Sequence, residues 1–267
     1  MEERNAWQAV RNNAWGTWVL AHAAVAARVE KFVLVSTDKA VNPTNVMGAS
    51  KRMAEMVCQS LQNGTTQFVI VRFGNVFGST GSVIPRFREQ IARGGPVTVT
   101  HPSITRYFMS LSEATQLLLQ AGLMGKGGEV LLLDMGDPVR IIDLARDMIR
   151  LSGADPDRIR IAFTGLRPGE KLFEEPLATD EATLPTPHPK LRIAQARPGN
   201  RDAVEQMVAW LERDRAAGEA EVRIWLKNWI PEYAPSGGAS VPIVDPVAAM
   251  TPATVAPAVA LFARRRR

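Results

Sequence analysis

Apolar residues along this chain follow two rhythms. Continuous runs rich in β-branched residues, Phe32–Val35 and Gln67–Phe73 (QFVIVRF), predict strands buried on both faces of a parallel sheet. Val97–Thr100, Val130–Asp134 and Arg158–Phe163 predict shorter strands, and Thr105–Met109 an extended segment. Helical spacing fills the intervals. Glu2–Ala27 reads as one helix with Val10, Ala14, Val19, Leu20 and Ala23 on its inner side and Trp7, Trp15 and Trp18 on that side or its edge. Gly16 in that helix predicts a close approach to a strand; Asn13 predicts either a satisfied core amide or a brace for one. Met47–Asn63 follows, with Met53, Met56, Val57 and Leu61 inward, then Val83–Ala92. Ser112–Met124, capped by Ser112 with Leu117–Leu119 buried, and Ile141–Ser152, ended by Gly153, complete this set. Residues 200–228 carry one or two more helices. Strand, helix and strand over residues 32–73 make a βαβ unit, so the fold class is α/β.

Composition narrows the function classes. With 267 residues, 46% hydrophobic, the chain can bury one large core or two modest ones. A pI near 9.7 suggests nucleic acid, but Arg264–Arg267 supply four of the five net positive charges. A terminal arginine run is a solvated tail, so no nucleic-acid partner is expected. The single Cys58 excludes an intrachain disulfide and, with three scattered histidines, argues against structural zinc. Cys58 falls inside a helical pattern and reads as a small buried residue. Residues 1–13 lack the apolar core of a signal peptide. Ala239–Ala263 carries Asp245, Pro242, Pro246, Pro252 and Pro257, a poor membrane span. Everything after Pro231 reads as a disordered Ala/Pro/Val tail.

The chemistry collects at strand ends. The first buried strand stops at Ser36-Thr37-Asp38-Lys39, a run of hydroxyl, carboxylate and amine. Ligands of open α/β sheets sit beyond the carboxyl ends of strands, so these residues form a candidate proton-handling site. The second strand ends in the glycine- and serine-rich loop Gly74–Ser82. Further on, Leu166–Lys171 (LRPGEK) makes a compact basic loop.

Five stretches carry a family resemblance: STDKA…NPTNVMGASK, RFGNVFGSTGSVIP, THPSITRYFM, GGEVLLLDMGDPVRIIDLA and TGLRPGEKLFEE. Over residues 1–195 the chain resembles the extended short-chain dehydrogenase/reductases. More narrowly, it resembles the polysaccharide-biosynthesis branch of nucleotide-sugar 4,6-dehydratases that act on UDP-N-acetylglucosamine. The resemblance implies an NAD- or NADP-dependent reaction: oxidation at C4, loss of water across C5 and C6, then reduction at C6. Most of the superfamily carries a Tyr-x-x-x-Lys pair. Here those positions are Met47 and Lys51, and methionine does no acid–base work. The branch instead implies Thr37 at the C4 hydroxyl, Lys39 as C5 base and Asp38 as C6 acid. Lys51 would bond the nicotinamide ribose, with Ser36 and Asn75 also toward the cofactor. For a UDP-sugar, the resemblance implies Asn75, Arg106 and Arg167, with Arg88 a further candidate. Asn45, Ser79 and Glu170 are candidate sugar contacts or loop braces.

The same resemblance implies an organisation. Residues 1–80 correspond to the C-terminal half of an NAD(P)-binding Rossmann domain and 81–200 to a nucleotide-sugar-binding region. Residues 201–230 add C-terminal helices and 231–267 the tail. The expected fold is thus an incomplete Rossmann-like parallel sheet with a smaller α/β substrate domain. The sequence contains no G-x-G-x-x-G turn, the element that seats a dinucleotide pyrophosphate. The expectation is therefore the C-terminal part of a longer dehydratase, inactive without a cofactor-binding half. The alternatives are a non-catalytic remnant that binds a UDP-sugar or a homologous chain, and a nucleotide-sugar epimerase. Expected partners are a UDP-sugar and a homo-oligomer or full-length homologue, meeting through the helices at 2–27 and 47–63. The expected location is cytoplasmic, although full-length relatives are often membrane-anchored.

Overall fold

The computed structural model describes residues 5–235, apart from 63, 80, 154–157, 178–181 and 214–215. It opens with α1 (Ala6–Val10), a π-helical turn (Arg11–Trp15) and α2 (Gly16–Ala26), which run on as one helix. The widened turn has a local cause. Thr17 Oγ1 donates to the Asn13 carbonyl at 2.6 Å, and Asn13 Nδ2 donates to Ser50 Oγ at 2.9 Å. Asn13 therefore braces another helix, not a strand. The inner stripe is Val10, Ala14, Thr17, Ala21 and Ala24, small residues that let α2 lie close to its neighbour. Val19 and Leu20, expected inside, are 37% and 63% exposed. Gly16 makes no close approach to a strand; the nearest atom to its Cβ position is its own helix's Arg11 carbonyl oxygen.

Strand β1 (Lys31–Thr37) leads through a 3-10 turn (Asp38–Ala40) into α3 (Val46–Ser60), and β2 (Gln67–Phe73) completes the expected βαβ unit. Then come β3 (Asn75–Val76), α4 (Val83–Ala92), β4 (Val97–Val99), β5 (Thr105–Arg106) and β6 (Phe108–Met109). Helix α5 (Leu111–Met124) is capped by Ser110, whose hydroxyl accepts from the Glu113 amide, and not by Ser112. Strand β7 (Val130–Leu133), β8 (Val139–Arg140), α6 (Ile141–Leu151) and β9 (Ile161–Phe163) follow. Strands β10 (Thr183–Pro185) and β11 (Leu191–Ala194) had no sequence expectation; α7 (Arg201–Leu211) and α8 (Glu219–Trp229) close the described chain.

The main sheet has the order β1-β2-β7-β11-β10. Its first three strands are parallel, with Lys31 opposite Gln67 and Thr37 opposite Phe73, while β11 and β10 add antiparallel. Alternation along the strands feeds two cores. Leu34, Phe68, Ile70 and Val130 face α3 and the helices around it; Val69, Val71, Leu131 and Leu133 face α5. A third core, built on Phe87, Val99, Ile104, Ile141 and Ile149, holds α4 and α6 against the β4–β9 pair. This is the α/β arrangement anticipated, with a parallel-dominated sheet and a smaller α/β region.

Helix α3 lies inside the molecule, because α7 and α8 cover the face that would otherwise meet solvent. It is one of the two helices expected to meet a partner chain. Trp7 of α1 makes an edge contact with Trp210 at 4.9 Å, and Trp210 in turn touches Trp229 at 5.3 Å. The expected start of a tail at 231 is wrong for residues 231–235. Tyr233 is fully buried, the Ala234 amide donates to the Pro43 carbonyl, and Glu232 pairs with Arg52. The rest of the expected tail, 236–267, lies outside the described residues. Among the described residues, no helix is long and apolar enough to cross a membrane.

Candidate active site

Parallel register decides where the site forms. Because Thr37 sits opposite Phe73, the residues after β1 and after β2 emerge at the same end of the sheet. Thr37 caps the 3-10 turn and donates through Oγ1 to Asp38 Oδ1 at 2.9 Å. Lys39 Nζ donates to the same Asp38 oxygen at 2.9 Å and to Asn75 Oδ1 at 3.1 Å. Asp38 is 1% exposed and the Lys39 side chain 17%. Asp38 Oδ2 has no hydrogen-bond partner among the described residues. Thr37, Asp38, Lys39 and Asn75 thus form one continuous chain of contacts.

Two glycines let this cluster close. A Cβ at Gly48 would lie 2.1 Å from the Lys39 carbonyl oxygen, so the first turn of α3 packs backbone to backbone on the 3-10 turn. Asn45 caps that turn, accepting from the Gly48 amide at 2.8 Å. A Cβ at Gly74 would lie 2.9 Å from Met135 Sδ and 3.1 Å from Asp38 Oδ2.

The basic loop closes over the same turn. Gly169 O accepts from Thr44 Oγ1 at 2.9 Å and Asn45 Nδ2 at 3.0 Å, and Lys171 Nζ reaches the Val41 carbonyl. Arg106 holds the loop from the other side, donating to the carbonyls of Thr105, Lys171 and Leu172 and pairing with Glu170 and Glu174. Its guanidinium is committed to protein partners, so it reaches a diphosphate only by exchanging some of them. Arg167 is 67% exposed and pairs with Glu170 at 2.9 Å. Burial pushes the Glu170 carboxyl up, but hydrogen bonds and charge from Arg167, with charge from Arg106, outweigh it and leave it below the usual 4.5. Glu170 is therefore a loop brace.

The remaining candidates stand apart. Ser36 points to the opposite face of β1 and donates to Glu55 Oε1 at 2.6 Å, buried under α3. Lys51 Nζ lies 3.3 Å from the Val35 carbonyl, beside the outer edge of β1. Met47 is half-buried in the first turn of α3, and Arg88 is exposed on α4. Ser79 contributes a backbone turn, its amide donating to Val76 O. Cys58 is fully buried, its thiol pushed up to about 12 by burial and by the charge of Glu55, which leaves it inert.

Sequence reasoning passed over Glu174. It is 8% exposed, its Oε1 is 3.6 Å from Arg106 Nε, and its Oε2 has no hydrogen-bond partner among the described residues. Burial pushes its carboxyl above the usual 4.5; Lys39, Arg106 and Lys171 pull it down without prevailing, and Asp38 pushes it up. The available signal was a second glutamate beside an apolar pair, in LFEE, on a loop already singled out.

The family model described as "Polysaccharide biosynthesis protein" matches residues 1–196. The capsular polysaccharide biosynthesis protein CapD of Staphylococcus aureus is 61% identical over 181 residues, 67% of this chain and 30% of that protein. The probable polysaccharide biosynthesis protein EpsC of Bacillus subtilis (strain 168) is 53% identical over 199 residues, 74% of this chain and 33% of its own length. The chain thus spans about a third of these relatives. A UDP-glucose 4-epimerase of Rickettsia akari is 35% identical, covering 65% of this chain and 51% of that one. Among solved structures, Pen from Bacillus thuringiensis matches with a TM-score of 0.64 at 38% identity, over 71% of this chain and 59% of that chain. DesIV, a dTDP-glucose 4,6-dehydratase from Streptomyces venezuelae solved with NAD, matches in fold with a TM-score of 0.55 at 22% identity, over 62% and 56%. The chain belongs to the polysaccharide biosynthesis protein family, and UDP-glucose 4-epimerases are among the proteins it resembles in sequence.

Proposed function

We propose that this chain carries the acid–base site of a UDP-N-acetylglucosamine 4,6-dehydratase. The observation that carries the reading is the unbroken chain Thr37, Asp38, Lys39, Asn75 at one strand end, with Met47 where an acid–base tyrosine is expected. A single hydroxyl would serve C4 oxidation alone. Elimination across C5 and C6 needs a separate base and acid, and Lys39 and Asp38 supply them.

The contacts suggest how protons move. Thr37 takes the C4 hydroxyl proton while passing its own to Asp38 Oδ1. Asp38 then gives that proton to the C6 hydroxyl, which leaves as water. Lys39, as the free amine, removes the C5 proton and returns one to C5 when C6 is reduced. Each residue ends in the state in which it began. A bound NAD(P) supplies the hydride acceptor for C4 and the hydride donor for C6. The residues present fit only its nicotinamide end: Lys51 beside the β1 edge suits the ribose, whereas Ser36 is turned to Glu55. No glycine-rich pyrophosphate turn occurs in the sequence, so the adenosine end needs groups beyond those described. Of the two arginines at the basic loop, Arg167 is exposed and Arg106 is not, so Arg167 is the one open to a UDP diphosphate.

The test is to incubate the chain with UDP-N-acetylglucosamine and NAD+ or NADP+, alone and with a G-x-G-x-x-G-bearing segment of a relative. A 4-keto-6-deoxy sugar by NMR is the expected product. Likeness to a 4-epimerase supports a second reading, which the same spectrum reads as a C4 epimer with C6 oxygen retained. UDP-sugar binding with no product in either condition favours a non-catalytic binder.

A further inference from the structure

The last described residues of the chain reach the proton-handling turn by two routes. The Ala234 amide donates to the Pro43 carbonyl at 2.9 Å. Glu232 Oε1 accepts from Arg52 Nε at 3.1 Å. Arg52 in turn bonds Glu55, and Glu55 takes the Ser36 hydroxyl at 2.6 Å, one residue before Thr37. Residues 36–43, which include Thr37, Asp38 and Lys39, are thus held at both ends by residues 232–234, directly at Pro43 and through two side chains at Ser36. Glu232 and Arg52 also line one small cavity with Ala40, Val41 and Asn42.

We propose that Glu232 is a positioning residue, and that residues 232–234 form a strap that completes the site when α8 is seated. The proposal rests on the roles given above to Thr37, Asp38 and Lys39. The strap is tied to α8 by Lys227 Nζ, which donates to the carbonyls of Pro231 and Tyr233, and the Tyr233 side chain is fully buried. Charge makes Glu232 its working part. Arg52 and Arg72 share the Glu55 carboxylate, and Glu232 supplies a second carboxylate to Arg52. Without that charge, Arg52 draws on Glu55 alone, in competition with Arg72 and with the Ser36 hydroxyl that anchors the end of β1. Backbone strain adds to the need for a strap. Asn42 has φ 39°, in the left-handed region, a conformation that persists only where its surroundings hold it. Its two neighbours are the points held: the Val41 carbonyl by Lys171 and the Pro43 carbonyl by the strap. The 3-10 turn keeps its own bond from the Val41 amide to the Asp38 carbonyl, so losing the strap loosens the turn without unfolding it. Glu232 therefore acts on the alignment of Thr37, Asp38 and Lys39 and touches no substrate.

The test reads the turn and the chemistry separately. Amide hydrogen exchange of the whole chain is followed by NMR, without cofactor. Glu232→Gln should speed exchange over residues 38–42 by about tenfold or more, with Ile70 in β2 unchanged, and Glu232→Asp should restore most of the protection. In cofactor-loaded enzyme, Glu232→Gln should lower kcat about tenfold with KM unchanged, and Glu232→Asp should recover most of it. Val222→Ala is the control: it thins the buried packing of α8 and leaves Glu232 in place, so it should lower the melting temperature and leave kcat native. Native exchange and native kcat in Glu232→Gln overturn the proposal. So do equal kcat losses in Glu232→Gln and Val222→Ala, which make the role of Glu232 merely structural. The native chain decides the matter even where a variant fails to fold. Along a urea series, protection at Ala234 and Val41 should fall together; loss at Ala234 while Val41 keeps its native value overturns the strap. Failure of the dehydratase reading looks different: no 4-keto sugar forms while the coupled exchange persists.

Discussion

Arg72 and Glu55 meet in a two-armed bond, Nε to Oε1 at 2.8 Å and Nη2 to Oε2 at 2.7 Å, with both side chains at most 1% exposed. Ser36 donates to the same carboxylate, and Arg52 adds a third cationic arm at 3.3 Å. A buried pair of this kind holds geometry more than it adds net stability, but breaking it leaves a charge stranded. Glu55→Gln should cost about 3–5 kcal/mol in urea denaturation. Ser36→Ala should cost about 1–3 kcal/mol, since it removes one bond to a charged acceptor.

The same pair predicts an acid limb. Burial pushes the Glu55 carboxyl up, but Arg72, Arg52 and the Ser36 hydroxyl hold it below its unfolded value near 4.5. A depressed folded value means the stabilisation is complete above pH 4.5 and is lost as pH falls toward the folded one. Melting temperature should therefore drop below that pH in the native chain and drop less in Glu55→Gln.

In the proton circuit, Thr37→Val, Asp38→Asn and Lys39→Met each remove a different step. Each should lower kcat by roughly 10²–10⁴ with substrate affinity nearly unchanged, measured as 4-keto sugar formed by cofactor-loaded enzyme. Met47→Ala should stay within several-fold of the native rate. Equal losses at Met47 and Lys39 would sink the assignment.

Gly48→Ala would drive a Cβ into the Lys39 carbonyl, where only backbone movement relieves a 2.1 Å contact. It should lower stability by at least about 1–3 kcal/mol and turnover with it, read by thermal melting and product formation. Gly74→Ala meets the flexible Met135 side chain and the Asp38 carboxylate. Its main effect should be on turnover.

The arginines separate by burial. Arg167→Ala removes an exposed cation and should weaken UDP-sugar binding about tenfold by calorimetry, with melting unchanged. Arg106→Ala strands Glu174, leaves Glu170 to Arg167 alone and should cost about 3–5 kcal/mol of stability.

What the sequence made legible follows from the kind of signal each feature carries. The run FVIVRF is buried on both faces, whereas VLV, on the edge strand, leaves Val35 41% exposed; both runs are continuous enough that β1 and β2 were readable. Strands β10 and β11 were not, because they join an existing edge and need no apolar run of their own. Ser110 and Ser112 are chemically equal as caps; only the turn set by β6 selects the first. Val19 and Leu20 looked inward by hydrophobicity, but close packing of α2 on α3 favours Ala21 and Ala24. Thr37, Asp38 and Lys39 were visible as a local run, and Asn75 as the end of a second strand. Glu174 was hidden, since its burial depends on Arg106, 68 positions earlier in the chain.

Four of the six indoles, Trp7, Trp210, Trp225 and Trp229, belong to one cluster that joins the first described helix to the last two. Intrinsic fluorescence in this protein is thus a gauge of whether its two ends are seated together. Far-ultraviolet dichroism reports helix and strand content throughout the chain. A denaturation run watched by both signals would show, as a gap between the curves, any state in which the C-terminal helices have peeled away while the βαβ unit and the proton-handling turn remain intact.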